Sequence, residues 1–163
     1  LSLIGYSFGA RIVTGAMHRL SGEDTAVQTL PLRTRRLAPV RAVLVAAALD
    51  RNWLLPGHRH GSALRQLEQV LITVNNCDPA LRWYSRLWGR RGPEALGYAG
   101  LACPDWIGPE AAKVEQINVS REVGREHAWA GYLGAPSLLA RLGRYTFLPP
   151  VTPPNSEPEH AAP

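Results

Sequence analysis

Apolar residues in this chain form short continuous runs that alternate with stretches of helical spacing. The run Ala42–Leu49 consists only of Val, Ala and Leu, which is typical of a strand buried on both faces of a parallel sheet. The segment Phe8–Leu20 repeats an apolar residue every four positions from Ile12 onward, which predicts a helix. Because strands that alternate with helices are characteristic of parallel sheets, the pattern predicts the α/β class.

The same criteria predict the remaining elements along the chain. The predicted strands are Leu1–Tyr6, Ala42–Leu49, Val70–Val74 and Lys113–Val119. The predicted helices are Phe8–Leu20, Ser62–Gln69, Pro79–Trp88 and Pro136–Tyr145, and the predicted irregular segments are Glu23–Pro39 and Gly89–Pro109. We place a single domain at residues 1–148. The tail at residues 149–163 is rich in Pro, Glu and Ala and is predicted to be disordered, since it has almost nothing to bury.

Composition narrows the classes of function. A chain of 163 residues with 45% apolar residues can form one domain with a sizeable core. No run approaches the roughly 18–20 apolar residues of a membrane span, so none is predicted. The net charge of +5 comes from arginines spread along the chain, without the interleaved aromatic residues of a base-stacking surface, and nucleic-acid binding is not expected. Two cysteines make neither a zinc site nor a disulfide scaffold, and a cytoplasmic location is the default expectation.

The sequence Gly5-Tyr6-Ser7-Phe8-Gly9 matches the pattern G-x-S-x-G between a predicted strand and a predicted helix. This context is typical of a nucleophile elbow, a sharp turn that holds serine in strained geometry with its hydroxyl exposed. Side chains two positions before and after the serine would collide across such a turn, so glycine suits both positions. The pattern predicts Ser7 as a nucleophile and the backbone N–H of Phe8 as an oxyanion donor.

A serine nucleophile needs a base to take its proton, and an acid must orient that base. On folds with this elbow the chain order is Ser, then Asp or Glu, then His. His127 fits, because it follows the last predicted strand in the loop Gly124–His127. The other histidines fit less well. His18 lies late in the first predicted helix, His58 and His60 precede the better acid candidate, and His160 lies in the tail.

Two residues are candidates for the acid. Asp50 directly follows the run Ala42–Leu49, and Asp78 comes shortly after the strand Val70–Val74. Both positions lie near the carboxyl ends of strands, where open α/β sheets place their sites. Asp78 could instead serve only as a helix N-cap ahead of Pro79, and Asp50 could be an ordinary loop residue. The expected order favours Asp78, with Asp50 as the alternative.

These residues resemble the α/β-hydrolase superfamily, and within it a serine-esterase-like branch. The similar segments are Leu-Ile-Gly-Tyr-Ser-Phe-Gly-Ala-Arg at the elbow, Ala-Ala-Leu-Asp-Arg after the second strand and Asp78-Pro79-Ala80-Leu81 after the third. The resemblance runs from Leu1 to about Leu142. It implies an acyl-enzyme mechanism on a small-molecule ester, thioester or amide, without a metal or organic cofactor. In such proteins the acid commonly follows the second strand after the elbow, which also points to Asp78.

One feature differs from the superfamily, in which several strands precede the elbow. Here the elbow opens the sequence, so we expect the C-terminal half of a partial α/β-hydrolase fold with its N-terminal strands missing. The missing part would include the loop that supplies the second oxyanion donor, and we expect this chain alone to be poorly soluble and nearly inactive. The alternative function is a non-catalytic α/β-hydrolase-like binding module. The sequence gives no indication of the oligomeric state.

Overall fold

A computed structural model describes residues 1–22, 39–89 and 92–146 of the chain. Most of the predicted loop Glu23–Pro39 and the whole predicted tail at residues 149–163, which includes His160, lie outside the described residues. The described part contains a four-stranded, fully parallel sheet with the strands in chain order. These strands are β1 (Ser2–Tyr6), β2 (Arg41–Val45), β3 (Gln69–Val74) and β4 (Val114–Asn118).

Helices flank the sheet, so the prediction of an α/β protein with a parallel sheet is confirmed. The α-helices are α1 (Gly9–Leu20), α2 (Pro79–Trp83), α3 (Leu96–Ala99), α4 (Ser120–Val123), α5 (Trp129–Leu133) and α6 (Pro136–Thr146), and the 3₁₀ segments are Ala63–Gln66, Tyr84–Trp88 and Pro104–Lys113. The helices α3, α4 and α5 were not predicted, because they are too short for helical periodicity to show. Within the described ranges, no helix has the length and apolar character needed to cross a membrane.

Strand β2 lies inside the sheet and is buried on both faces. Ala42 and Leu44 point into an apolar cluster that includes Ala10 and Met17 of α1. Val43 and Val45 point into a second cluster on the opposite face, which includes Tyr132 of α5 and Leu138 of α6. This two-sided burial explains why β2 is a continuous apolar run and does not alternate with polar residues.

The predicted strand Ala42–Leu49 is too long, since β2 ends at Val45. Ala46 has a positive φ of 47°, and its N–H donates a hydrogen bond of 3.0 Å to Thr73 Oγ1 instead of continuing the ladder. Residues 46–49 leave the sheet but stay buried, so their composition cannot be told from that of a strand. The turn brings Ala48 against the segment that follows β1.

Candidate active site

Ser7 lies in the turn between β1 and α1. Its φ is +50°, in the left-handed region that costs a non-glycine residue about 1–2 kcal/mol. Three backbone hydrogen bonds hold it there. Ser7 N–H donates to Val45 O at 2.9 Å, and Ser7 O accepts from Ala10 N–H at 3.2 Å and from Ala48 N–H at 3.1 Å. The strain is therefore maintained by the end of β2 and by the buried segment that follows it.

The two glycines of the motif play different parts. A Cβ built on Gly5 would lie 2.7 Å from Ala10 Cα, so α1 can pack this closely only against glycine. A Cβ built on Gly9 would have no atom within 4 Å apart from its chain neighbours and the backbone of α1. The expectation that a side chain would collide at both positions is therefore wrong at Gly9, where the surroundings leave open space.

Phe8 stands at the N-cap of α1, which has 12 residues. Its N–H makes no backbone hydrogen bond among the described residues, and the positive end of the helix dipole lies at the same place. An oxygen that became negatively charged beside Ser7 would accept a hydrogen bond from this N–H and would be stabilised by the helix dipole. Phe8 is 51% exposed, and the Arg11 guanidinium lies 4.5 Å from the centroid of its ring.

His127 lies in the loop between α4 and α5, with its ring between two side chains from distant segments. His127 Nε2 is 3.2 Å from Ser7 Oγ, and His127 Nδ1 is 2.6 Å from Asp78 Oδ2. A carboxylate only accepts hydrogen bonds, so Nδ1 carries the proton and Nε2 is left to accept from the serine hydroxyl. The Tyr6 hydroxyl donates to His127 O, and Asn75 Nδ2 donates to Gly124 O at 2.9 Å, which fixes the loop at both ends.

Asp78 is completely buried and uses its two oxygens for different purposes. Oδ1 accepts from Ala80 N–H at 2.9 Å and from Leu81 N–H at 3.2 Å, so Asp78 is the N-cap of α2 as predicted. Oδ2 accepts from His127 Nδ1 and from the Tyr132 hydroxyl. The helix cap and the contact with the imidazole, which the sequence offered as alternatives, coexist on one side chain.

The alternative acid, Asp50, lies elsewhere. Its Oδ1 accepts from Asn52 N–H at 2.8 Å, and its backbone forms an isolated antiparallel bridge with Ala95. Because β2 ends at Val45, Asp50 is displaced from the carboxyl end of the strand that it was expected to follow. The side chain that contacts His127 is that of Asp78 and not that of Asp50.

Two tyrosines complete the surroundings of the acid and were not predicted. Tyr132 of α5 is fully buried and donates to Asp78 Oδ2 at 2.9 Å. Burial and the nearby Asp78 carboxylate raise the pKa of Tyr132, which keeps the hydroxyl protonated as a donor. Burial and the same carboxylate also raise the pKa of Tyr6. A single tyrosine in a short helix carries no pattern that sequence reasoning could have recognised.

Two other histidines form a separate polar cluster beneath α1. His60 is buried, and its Nδ1 lies 2.8 Å from Thr14 Oγ1. His18 Nδ1 lies 2.5 Å from Ser62 Oγ. Burial and the charges of nearby residues lower the pKa of His60 to about 4, so His60 is neutral near pH 7. His60 and His18 form these hydrogen bonds with Thr14 and Ser62 and are not part of the group around Ser7. His58 is exposed at the surface.

Ser7, Asp78 and His127 follow the carboxyl ends of β1, β3 and β4, the edge at which parallel sheets assemble their sites. A buried carboxylate, an imidazole and a hydroxyl in this order can raise the nucleophilicity of the hydroxyl oxygen by drawing its proton toward the ring. This is thus an α/β protein in which a serine, a histidine and an aspartate are hydrogen-bonded in series at one edge of the sheet. Comparison with protein-family models, with curated proteins and with solved structures finds no match.

Proposed function

We propose that this protein is a serine hydrolase of the α/β-hydrolase superfamily, acting on a carboxylic ester or thioester through an acyl-enzyme. The observation that supports this most is the continuous hydrogen-bond chain from Ser7 Oγ to His127 at 3.2 Å and from His127 to Asp78 at 2.6 Å. The strained φ of Ser7 is a second support, because strain of this kind concentrates at reactive residues.

In the proposed mechanism the Ser7 oxygen attacks the acyl carbon while His127 Nε2 takes the hydroxyl proton. The tetrahedral intermediate carries a negative oxygen, which accepts a hydrogen bond from Phe8 N–H. The intermediate collapses when His127 returns the proton to the departing alcohol or thiol, and this leaves the acyl group on Ser7. Water, deprotonated by His127, then attacks the acyl carbon, and the acid product leaves as Ser7 regains its proton.

Asp78 acts in this scheme without changing its protonation. Its Oδ2 fixes the Nδ1–H tautomer of His127 and stabilises the imidazolium that forms at each proton transfer. Complete burial and the donors on both oxygens keep the carboxylate in one orientation. His127 is only partly exposed, which limits competition from water for Nε2.

A fluorophosphonate probe tests the proposal directly. Labelling depends chiefly on the activated serine, so we expect the probe to form a covalent adduct on Ser7 even where ester turnover is slow. The adduct is located by mass spectrometry of the peptide and should be absent from Ser7→Ala. His127→Gln should label far more slowly while retaining the fold. A protein that binds the probe no better than Ser7→Ala, with its circular dichroism intact, would instead fit the non-catalytic binding module and would remove the enzyme proposal.

A further inference from the structure

A cleft lined by arginines runs along α2. It consists of two cavities of about 560 Å³ and about 250 Å³ that share Pro79, Arg82 and Arg125 as lining residues. The larger cavity is also lined by Trp83 and Arg86. Its volume falls in the range of about 300–1,000 Å³ that small-molecule sites occupy.

The described residues supply little negative charge to this cleft. Arg82 and Arg125 form no ion pair with any residue in the described ranges. The larger cavity has one carboxylate in its lining, Glu94, and that carboxylate is engaged by Arg51 at 2.6 Å. The net effect is a concave surface with an excess of positive charge.

Two arginines elsewhere in the described structure pair with carboxylates. Arg41 pairs with Glu68 at 3.0 Å, and Arg141 pairs with Glu115 at 2.6 Å. Like charges around one concavity raise its positive potential, which favours the entry of an anion. What distinguishes the cleft is that three arginines line one concave surface whose single lining carboxylate is already engaged by another arginine.

Two features of the cleft specify the chemistry of that partner. The Arg86 guanidinium lies 3.7 Å from the centroid of the Trp83 ring, a stacking contact that orients its planar fork of donors. Guanidinium forks bind phosphate oxygens in a bidentate manner. We propose that this cleft binds the phosphate groups of a small, multiply charged anion, held by Arg82, Arg86 and Arg125.

This site is separate from the proposed catalytic residues. Neither Ser7 nor His127 lines either cavity, and Asp78 is fully buried, with both of its oxygens occupied by other donors. Pro79 follows Asp78 directly and Arg125 precedes His127 by two residues, so a bound anion joins the segments that carry the acid and the histidine. Anion binding at this cleft requires no hydrolase activity.

Inorganic pyrophosphate is the probe, and binding is measured by calorimetry on the full chain at low ionic strength. We expect Arg82→Gln/Arg125→Gln to weaken binding by at least about tenfold, as the loss of two charge-assisted contacts implies. Arg121→Gln is the control, because Arg121 is exposed but lies outside the cleft. Circular dichroism and thermal unfolding show that the variants keep the fold.

The two cysteines provide a second readout within one molecule. Cys77 lines the smaller cavity, whereas Cys103 does not, and both are exposed free thiols. Pyrophosphate should slow the alkylation of Cys77 by iodoacetamide and leave the rate at Cys103 unchanged. Absence of binding, equal weakening in Arg121→Gln, or citrate binding as tightly as pyrophosphate would each overturn the assignment of a phosphate site.

Discussion

The Tyr132 hydroxyl and the Nδ1–H of His127 donate to the same oxygen of Asp78, Oδ2, at 2.9 Å and 2.6 Å. Tyr132 and His127 therefore share one acceptor oxygen, and Tyr132 helps to fix the orientation of the Asp78 carboxylate. It does not touch the place where a substrate would react. We regard Tyr132 as a positioning residue.

Tyr132→Phe removes a donor from a buried carboxylate while preserving the ring. We expect the free energy of unfolding to fall by about 1–3 kcal/mol and kcat for an ester substrate to fall by about tenfold, because the acid is held less firmly. Urea unfolding and steady-state kinetics measure the two quantities. The change in kcat should exceed any change in KM.

Tyr145→Phe is the matched control for that substitution. Tyr145 is also buried and donates to a carboxylate, Glu115 Oε2, at 2.5 Å, and burial with that carboxylate raises its pKa to about 12. We expect a comparable loss of stability without a loss of kcat. Equal effects on kcat from both variants would show that Tyr132 acts only through global stability.

The choice between the two acid candidates can be tested by paired substitutions. Asp78→Asn keeps an oxygen for the helix cap but removes the charge and allows the wrong histidine tautomer, which typically lowers kcat by about 10⁴-fold. Asp50→Asn keeps an acceptor for Asn52 N–H and should leave kcat unchanged. A larger loss from Asp50→Asn than from Asp78→Asn in the same ester assay would reverse the assignment.

The glycines of the elbow should respond in opposite ways to alanine. Gly5→Ala places a methyl group 2.7 Å from Ala10 Cα, where backbone must move, and we expect severe destabilisation or failure to fold. Gly9→Ala enters open space in the first turn of α1 and should be neutral or stabilising by up to about 1 kcal/mol. Thermal unfolding of both variants decides, and similar losses would contradict the geometry of the turn.

The strain at Ser7 gives a prediction that is independent of catalysis. Ser7→Gly and Ser7→Ala both lack the hydroxyl, but only glycine adopts a φ of +50° without a steric cost. We expect the free energy of unfolding of Ser7→Gly to be about 1 kcal/mol higher than that of Ser7→Ala, as measured by urea titration. The opposite order would mean that position 7 is not held in the left-handed region in solution.

His60 should make the fold sensitive to acid. Its pKa is lowered from 6.5 to about 4, by burial first and then by the charges of Arg59, His18 and Arg11. The unfolded chain therefore binds a proton that the folded chain excludes, and stability that is complete above pH 6.5 is lost as the pH falls toward 4.

Urea unfolding at about pH 7.5 and at about pH 5 measures this loss. In His60→Asn the side-chain amide can still donate to Thr14 Oγ1, but the titrating ring is gone. The variant should lose less stability between the two pH values than the wild type does. An identical loss in both proteins would show that His60 does not contribute.

The sequence predicted the elements whose signal is local. The apolar run at β2 and the four-residue spacing of α1 are visible within a few neighbouring positions, and so is the Asp-Pro cap of α2. The exact ends of elements were less accurate, because the turn at Ala46 depends on Thr73 in another strand. The helices α3 to α5 have no periodic signal and were missed.

By itself, the sequence determined the α/β class, the position of the turn at Ser7 and the order in which a serine, an acid and a histidine occur, since motif and periodicity act over short stretches of chain. Only the tertiary structure decided that Asp78 and not Asp50 contacts His127, and that Tyr132 donates to the same carboxylate. It also decided that there is room for a side chain at Gly9 and that three arginines surround one cleft. These relationships join residues far apart in the chain, 120 positions for Ser7 and His127 and 49 for Asp78 and His127. Which distant side chains meet depends on where each strand ends and how each loop packs, and no local pattern records that.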